Sequence, residues 1–187
     1  MARLVETRRF KDERGWFAET YNQARLAELG ITETFIQDNQ AMSGPVGVLR
    51  GLHFQRPPHA QAKLVRCIRG RIWDVAVDIR TGSPTYAQVI GAELTADNGL
   101  QLYVPAGYAH GYVTLEPDSE VVYKVSAKYA PDTEGGILWS DPDLAIAWPL
   151  PAHGPLVAEK DQRLPLLRDF KSPFMFEEAA LAVAGVA

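Results

Sequence analysis

Cysteine is nearly missing from this chain of 187 residues, which holds one, Cys67, so no disulfide can form within it. A lone cysteine of this kind belongs in a buried strand, and a reducing compartment is consistent with it. Long apolar runs are also missing. No stretch approaches the roughly 20 residues that a membrane-crossing helix needs. The opening Met1-Ala2-Arg3-Leu4-Val5-Glu6-Thr7-Arg8-Arg9 has charges with no apolar core behind them, so a secretory leader is not expected. The small apolar residues Ala179 to Ala187 are too few to span a bilayer and are expected to form a frayed helix or a disordered tail. An excess of positive charge is lacking too. Nineteen basic residues face twenty-three acidic ones, a net charge of −4, and such a chain has no overall positive field to gather nucleic-acid phosphates. Membrane and nucleic acid are therefore excluded as partners, and the cytoplasm is the expected place of work. There is no repeat, no low-complexity segment and no linker.

The length suits a single domain over residues 1–187, able to bury roughly 70% of its unfolded surface. The 13 prolines and 15 glycines punctuate short apolar runs, the rhythm of a β sandwich or barrel. One early helix is expected from Asn22 to Leu29, with Gly30 as its stop, and another in the tail. Elsewhere the period is two. Trp73, Val75, Val77 and Ile79 alternate with Ile72, Asp74, Ala76 and Asp78. Leu100, Leu102 and Val104 alternate with Gln101 and Tyr103. Val121, Tyr123, Val125 and Tyr129 fall on one face of a strand drawn from Val121 to Tyr129. Such alternation predicts half-buried strands. Turn clusters at Arg69-Gly70-Arg71, Thr81-Gly82-Ser83-Pro84-Thr85 and Pro105-Ala106-Gly107 separate them. The expectation is a jelly-roll or related β-barrel, with a small-molecule site at its mouth.

Two of the four histidines stand out. His53 lies in the strand-like Leu49-Arg50-Gly51-Leu52-His53-Phe54-Gln55, and His110 enters a strand from the turn at Gly107; His59 and His153 sit beside proline loops. A metal site is poorly served. The residue two after His53 is Gln55, no carboxylate follows until Asp74, and Lys63 would set an ammonium against a divalent ion. Proton chemistry fits better. A histidine base, a lysine cation and a tyrosine acid can move a proton beside a carbonyl, the cation meeting the enolate oxygen where charge develops. The phenol would serve if its pKa came down from about 10. The histidine needs an orienting carboxylate, and the residues alone leave Asp38, Asp74, Asp78, Asp141 and Asp161 all open. Arg50 and His53 are three apart, so a bulge near Gly51 is needed if both are to reach one ligand.

Several strings in register resemble the dTDP-4-dehydrorhamnose 3,5-epimerase family. They are Asp12-Glu13-Arg14-Gly15, Gln37-Asp38-Asn39, Val48 to Gln55, Lys63-Leu64-Val65-Arg66-Cys67 and Asp74 to Arg80. Gly107 to Tyr112, Tyr123-Lys124, Trp139-Ser140-Asp141-Pro142 and Glu159-Lys160-Asp161 continue the series. The likeness covers about residues 3 to 168, leaving a tail over about 172–187.

The resemblance implies a mainly β, cupin-type jelly-roll β-barrel with a few short peripheral helices. It implies no metal, no cofactor and a dTDP-4-keto-6-deoxyhexose substrate epimerised at C3 and C5. It also implies a homodimer in which an N-terminal segment crosses to the partner. By position, His53 resembles the base, Asp161 its orienting carboxylate, Tyr123 the acid on the opposite face and Lys63 the holder of the C4 oxygen. Arg14, Glu19, Gln37, Asn39, Arg50, His110, Glu134 and Lys160 match substrate-contacting positions, and Tyr129 an aromatic near the nucleotide. Trp16, Ser140 and the tail after Lys171 depart from the pattern without removing a proposed catalytic group. The competing readings are a single-site epimerase of another deoxysugar route, a metal-dependent cupin enzyme and a non-catalytic sugar-nucleotide binder.

Overall fold

The computed structural model describes residues 1–177. The short apolar runs become strands β1 (Arg3–Glu6), β2 (Arg9–Asp12), β3 (Gly15–Ala18), β4 (Gln37–Ser43), β5 (Val48–Gln55), β6 (Lys63–Arg69) and β7 (Arg71–Asp78). They continue as β8 (Val89–Thr95), β9 (Leu100–Val104), β10 (Tyr108–Thr114), β11 (Ser119–Val125), β12 (Glu134–Gly136) and β13 (Leu156–Val157). Helices α1 (Gln23–Glu28) and α2 (Glu159–Gln162) are short, and the tail expected from Ala179 onward lies outside the described residues. No described helix is long and apolar enough to cross a membrane.

The strands form two open sheets. The first runs β1-β9-β6-β11-β4 and the second β12-β5-β10-β7-β8, with β13 added in parallel to β5; β2 and β3 make a separate hairpin. Neither sheet closes, which corrects the expected jelly-roll barrel: among the described residues β4 and β1 are not hydrogen-bonded to the edges of the second sheet. Alternation announces strands and faces, but closure depends on strand tilt and stagger, which are properties of the whole sheet. The result is a sandwich. Val65, Cys67, Leu102, Val104 and Val121 of the first sheet pack against Ile72, Ala76, Leu94, Tyr108 and Tyr112 of the second.

Three local outcomes position the site. First, α1 forms where the sequence places it. The Asn22 side chain accepts the Arg25 N–H at 3.2 Å and Gly30 takes φ +71°, ending the turn. Leu26 then packs with Val5, Ile31, Leu64 and Tyr103 on the outer face of the first sheet. Second, β7 is buried on both faces, not one. The chain after β12 folds back, so Ile137, Leu144 and Phe174 cover Val75, Val77 and Ile79. Third, the strand drawn from Val121 to Tyr129 stops at Val125. The carbonyls of Ala127 and Lys128 accept instead from Gln61 Nε2 at 2.7 Å and Gln55 Nε2 at 3.1 Å, and Gln55 Oε1 takes the Ala130 N–H at 2.9 Å. Side-chain amides thus replace the ladder and hold a loop over the sheet.

Candidate active site

The sheets part at one end around two adjoining cavities of about 510 and 330 Å³, both lined by His53, Lys63, Tyr123, Tyr129 and Glu134. β5 of the second sheet supplies His53. β6 and β11 of the first sheet supply Lys63 and Tyr123. A histidine and a tyrosine therefore reach one cavity from opposite sheets.

The bulge expected near Gly51 is present. On β10, His110 stands opposite His53 and Tyr112 opposite Arg50, so three steps on β5 match two on β10. A Cβ on Gly51 would lie 2.6 Å from Gly111 Cα, and Gly51 has φ +126°, so the two backbones meet this closely only through glycine. The extra residue turns Arg50 and His53 to the same side, and both line the smaller cavity.

Asp161, in α2, reaches β5 across the bulge. Its Oδ1 lies 2.7 Å from His53 Nε2, and its Oδ2 accepts the Gly51 N–H at 3.2 Å. Burial pushes this carboxyl up, but hydrogen bonds from His53 and Gly51, with the charges of His53 and Lys160, outweigh it and hold the pKa below the ordinary value. An ionised carboxylate only accepts, so Nε2 carries the ring proton and Nδ1 keeps its lone pair. The other four carboxylates left open by the sequence have different work. Asp38 pairs with Lys124 at 2.8 Å, Asp74 with His110 at 2.7 Å and Asp78 with Arg80 at 2.6 Å. Asp141 accepts the N–H groups of Asp143, Leu144 and Leu167.

Lys63 is half-buried, and burial pushes its pKa down to about 8 against the opposing charges of Asp74 and Glu134. Burial lowers the His110 pKa despite the Asp74 carboxylate, so that ring is neutral near pH 7. Burial raises the Tyr123 pKa, with Arg50 and Asn39 acting in the other direction. The condition of a lowered phenol pKa is therefore not met, and Tyr123 enters any reaction as a neutral O–H.

The remaining expected residues divide. Gln37 and Asn39 line the larger cavity, with Gln37 Nε2 donating to Asn39 Oδ1 at 2.8 Å. Arg50, His110, Lys160 and Asp161 line the smaller one. Lys160 Nζ donates to Glu134 Oε1 at 2.9 Å, and Tyr129 O–H to Glu134 Oε2 at 3.4 Å. Tyr129 reaches the cavity from the loop after Val125, so its six-residue spacing from Tyr123 along one strand is not what brings them together. Arg14 and Glu19 line neither cavity. Arg14 sits between β2 and β3, paired with Asp12 at 2.6 Å, and Glu19 faces Arg25 at 3.5 Å.

Sequence reasoning missed Tyr112, which lines the smaller cavity, and the Asp74–His110 pair. The signal was available for Tyr112: it is two residues after His110 on a strand, hence on the same face.

A family model described as dTDP-4-dehydrorhamnose 3,5-epimerase matches residues 2–169. A relative of that description from Salmonella typhimurium is 50% identical over 165 residues, covering 88% of this chain and 89% of that protein. The crystal structure of dTDP-4-dehydrorhamnose 3,5-epimerase from Bacillus anthracis with TDP and PPi bound superposes with a TM-score of 0.85 at 49% identity, covering 88% of this chain and 93% of that one. The dTDP-6-deoxy-D-glucose-3,5-epimerase from Legionella pneumophila, in complex with dTDP-4-keto-L-rhamnose, gives a TM-score of 0.89 at 40% identity, covering 95% and 94%.

Proposed function

The chain belongs to the dTDP-4-dehydrorhamnose 3,5-epimerase family, and from that premise we propose that the cavity between the sheets carries the reaction. The enzyme is an isomerase that epimerises C3 and C5 of a dTDP-4-dehydro-6-deoxyhexose, on the route to dTDP-L-rhamnose. Its substrate is dTDP-4-dehydro-6-deoxy-D-glucose and its product dTDP-4-dehydro-L-rhamnose. The observation that carries the cavity assignment is the supply of His53 and Tyr123 from opposite sheets, since inversion requires a proton to leave one face of the sugar and return on the other.

The C4 carbonyl acidifies the C–H bonds at C3 and C5. His53 takes the proton through Nδ1, the nitrogen that Asp161 leaves free. As the imidazolium forms, the carboxylate 2.7 Å from Nε2 stabilises it. The electron pair moves onto the C4 oxygen, where the Lys63 ammonium meets it. In a half-buried site that attraction is stronger than in water. Tyr123 delivers a proton from the opposite face; its phenolate is then reprotonated from solvent, and the His53 imidazolium releases the proton it took to solvent, which resets both groups. The cycle is then repeated at the second carbon. None of these steps requires a cofactor.

Gln37, Asn39, Arg50, His110, Tyr129, Glu134 and Lys160 hold the nucleotide sugar, with Arg50 and Lys160, which line the smaller cavity, as the cations for a diphosphate. Arg14 and Glu19 lie away from both cavities, and the hairpin that carries Arg14 exposes Phe10, Trp16 and Phe17. This supports a homodimer in which the N-terminal hairpin reaches the partner's cavity, an assembly that light scattering of the purified protein tests directly.

Proton NMR of dTDP-4-dehydro-6-deoxy-D-glucose with the enzyme in deuterated water is the decisive experiment. Deuterium should enter at C3 and C5, with an L-configured product. Exchange at one carbon only would make it a single-site epimerase, and no exchange would remove the proton-transfer reading.

A further inference from the structure

Tyr129 is 59% exposed and lines both cavities, yet among the described residues it packs in none of the hydrophobic clusters. Packing therefore does not place its ring. Its hydroxyl reaches Glu134 only at 3.4 Å. It also lies beyond the end of β11 at Val125, so no strand ladder holds it. What fixes the ring is the backbone on either side.

Gln55 grips both sides. Its Nε2 donates to the Lys128 carbonyl at 3.1 Å, and its Oε1 accepts the Ala130 N–H at 2.9 Å. The second Nε2 hydrogen goes to the His59 carbonyl at 2.7 Å, so both amide donors are used. Gln61 adds a bond to the Ala127 carbonyl at 2.7 Å. Gln55 is itself buried and ends β5 opposite Glu134 of β12. It is thus anchored in the second sheet, while the segment it grips comes from β11 of the first. Without this clamp, ligand binding would have to order the segment and bear the lost entropy.

We propose that Gln55 is a positioning residue for nucleotide recognition, which clamps Lys128 and Ala130 and so pre-sets the Tyr129 ring as a platform for the base. The inference rests on the reading of Tyr129 as an aromatic beside the nucleotide. An aromatic ring held ready at a cavity mouth offers a face on which a base stacks. His53 and Tyr123 are placed by their own strand pairings, so proton transfer does not depend on the clamp.

The test is Gln55→Met, which keeps the length of the side chain and removes its three hydrogen bonds. The Kd for dTDP should rise about 5–30-fold, the entropy of fixing one backbone residue. KM for dTDP-4-dehydro-6-deoxy-D-glucose should rise with it, while kcat stays at the wild-type value. In a Tyr129→Ala background the same substitution should leave the dTDP Kd unmoved, because the ring it positions is gone. Melting temperatures report folding. Gln61→Leu removes only the Ala127 contact, should weaken dTDP binding in the same direction by less, and carries the cycle if Gln55→Met does not fold. An unchanged dTDP Kd would overturn the inference. So would a loss confined to kcat, or an equal rise in Kd with and without Tyr129. Wild-type protein that binds no dTDP would sink the nucleotide reading and this inference with it. Wild-type protein that binds dTDP without epimerising would sink the epimerase reading alone, and the dTDP measurements would still decide the role of Gln55.

Discussion

His53 Nε2 lies 2.7 Å from Asp161 Oδ1, a contact between residues 108 positions apart in the chain. It depends on α2 returning a carboxylate to the bulge in β5, where the same group also accepts the Gly51 N–H. The ring is thereby held in one tautomer.

Asp161→Asn replaces the acceptor with an amide that can donate to Nε2 and reverse the tautomer. The exchange rate at C3 and C5 should fall about 10²–10⁴-fold, the range for loss of a general base. Circular dichroism should stay at the wild-type signal. An unimpaired exchange rate would dismiss the pair from the reaction.

Tyr123→Phe should separate proton removal from inversion. The ring and its packing remain, and His53 with Lys63 still forms the enolate. Deuterium should therefore enter at C3 or C5 while little product of L configuration at C5 accumulates. Wild-type product formation by this variant would exclude Tyr123 as the acid.

The pH profile should report Lys63. With its pKa pushed down to about 8, the ammonium is largely intact at pH 7 and is lost as pH rises through 8. kcat/KM should fall about tenfold per pH unit above that point. Lys63→Arg, which stays charged, should abolish the fall even if the absolute rate is lower. A descending limb that does not move in the variant would assign it to another group.

Asp78→Asn should cost stability, not chemistry. The Asp78 carboxylate is buried and accepts from Arg80 at 2.6 and 2.9 Å, from Thr85 at 2.6 Å and from Ser83 at 2.7 Å. Burial raises its pKa, but these hydrogen bonds prevail and hold it well below the usual carboxylate range. The folded pKa is the lower one, so the stabilisation is full above the unfolded value of about 3.9 and fades as pH falls below it. Removing the charge leaves Arg80 without its counter-ion, and about 3–5 kcal/mol should be lost at pH 7 and less at pH 3. Chemical denaturation at the two pH values measures this, and an equal loss at both would refute it.

The periodicities, the helix start at Asn22 and the family were legible in the residues, as was the need for a bulge or twist near Gly51 if Arg50 and His53 were to reach one ligand. These are local or position-by-position properties, legible because a strand alternates every two residues and a cap needs one side chain. The residues alone could not choose among five aspartates for His53, because the choice was made by α2, more than a hundred residues away. Nor could alternation show that β7 would be covered on both faces, that Gln55 and Gln61 would end β11 early, or that the sheets would stay open instead of closing into a barrel. Those outcomes depend on which backbone groups find partners after the chain has folded back on itself. Hydrophobic pattern encodes which face is buried; only the tertiary structure decides against what.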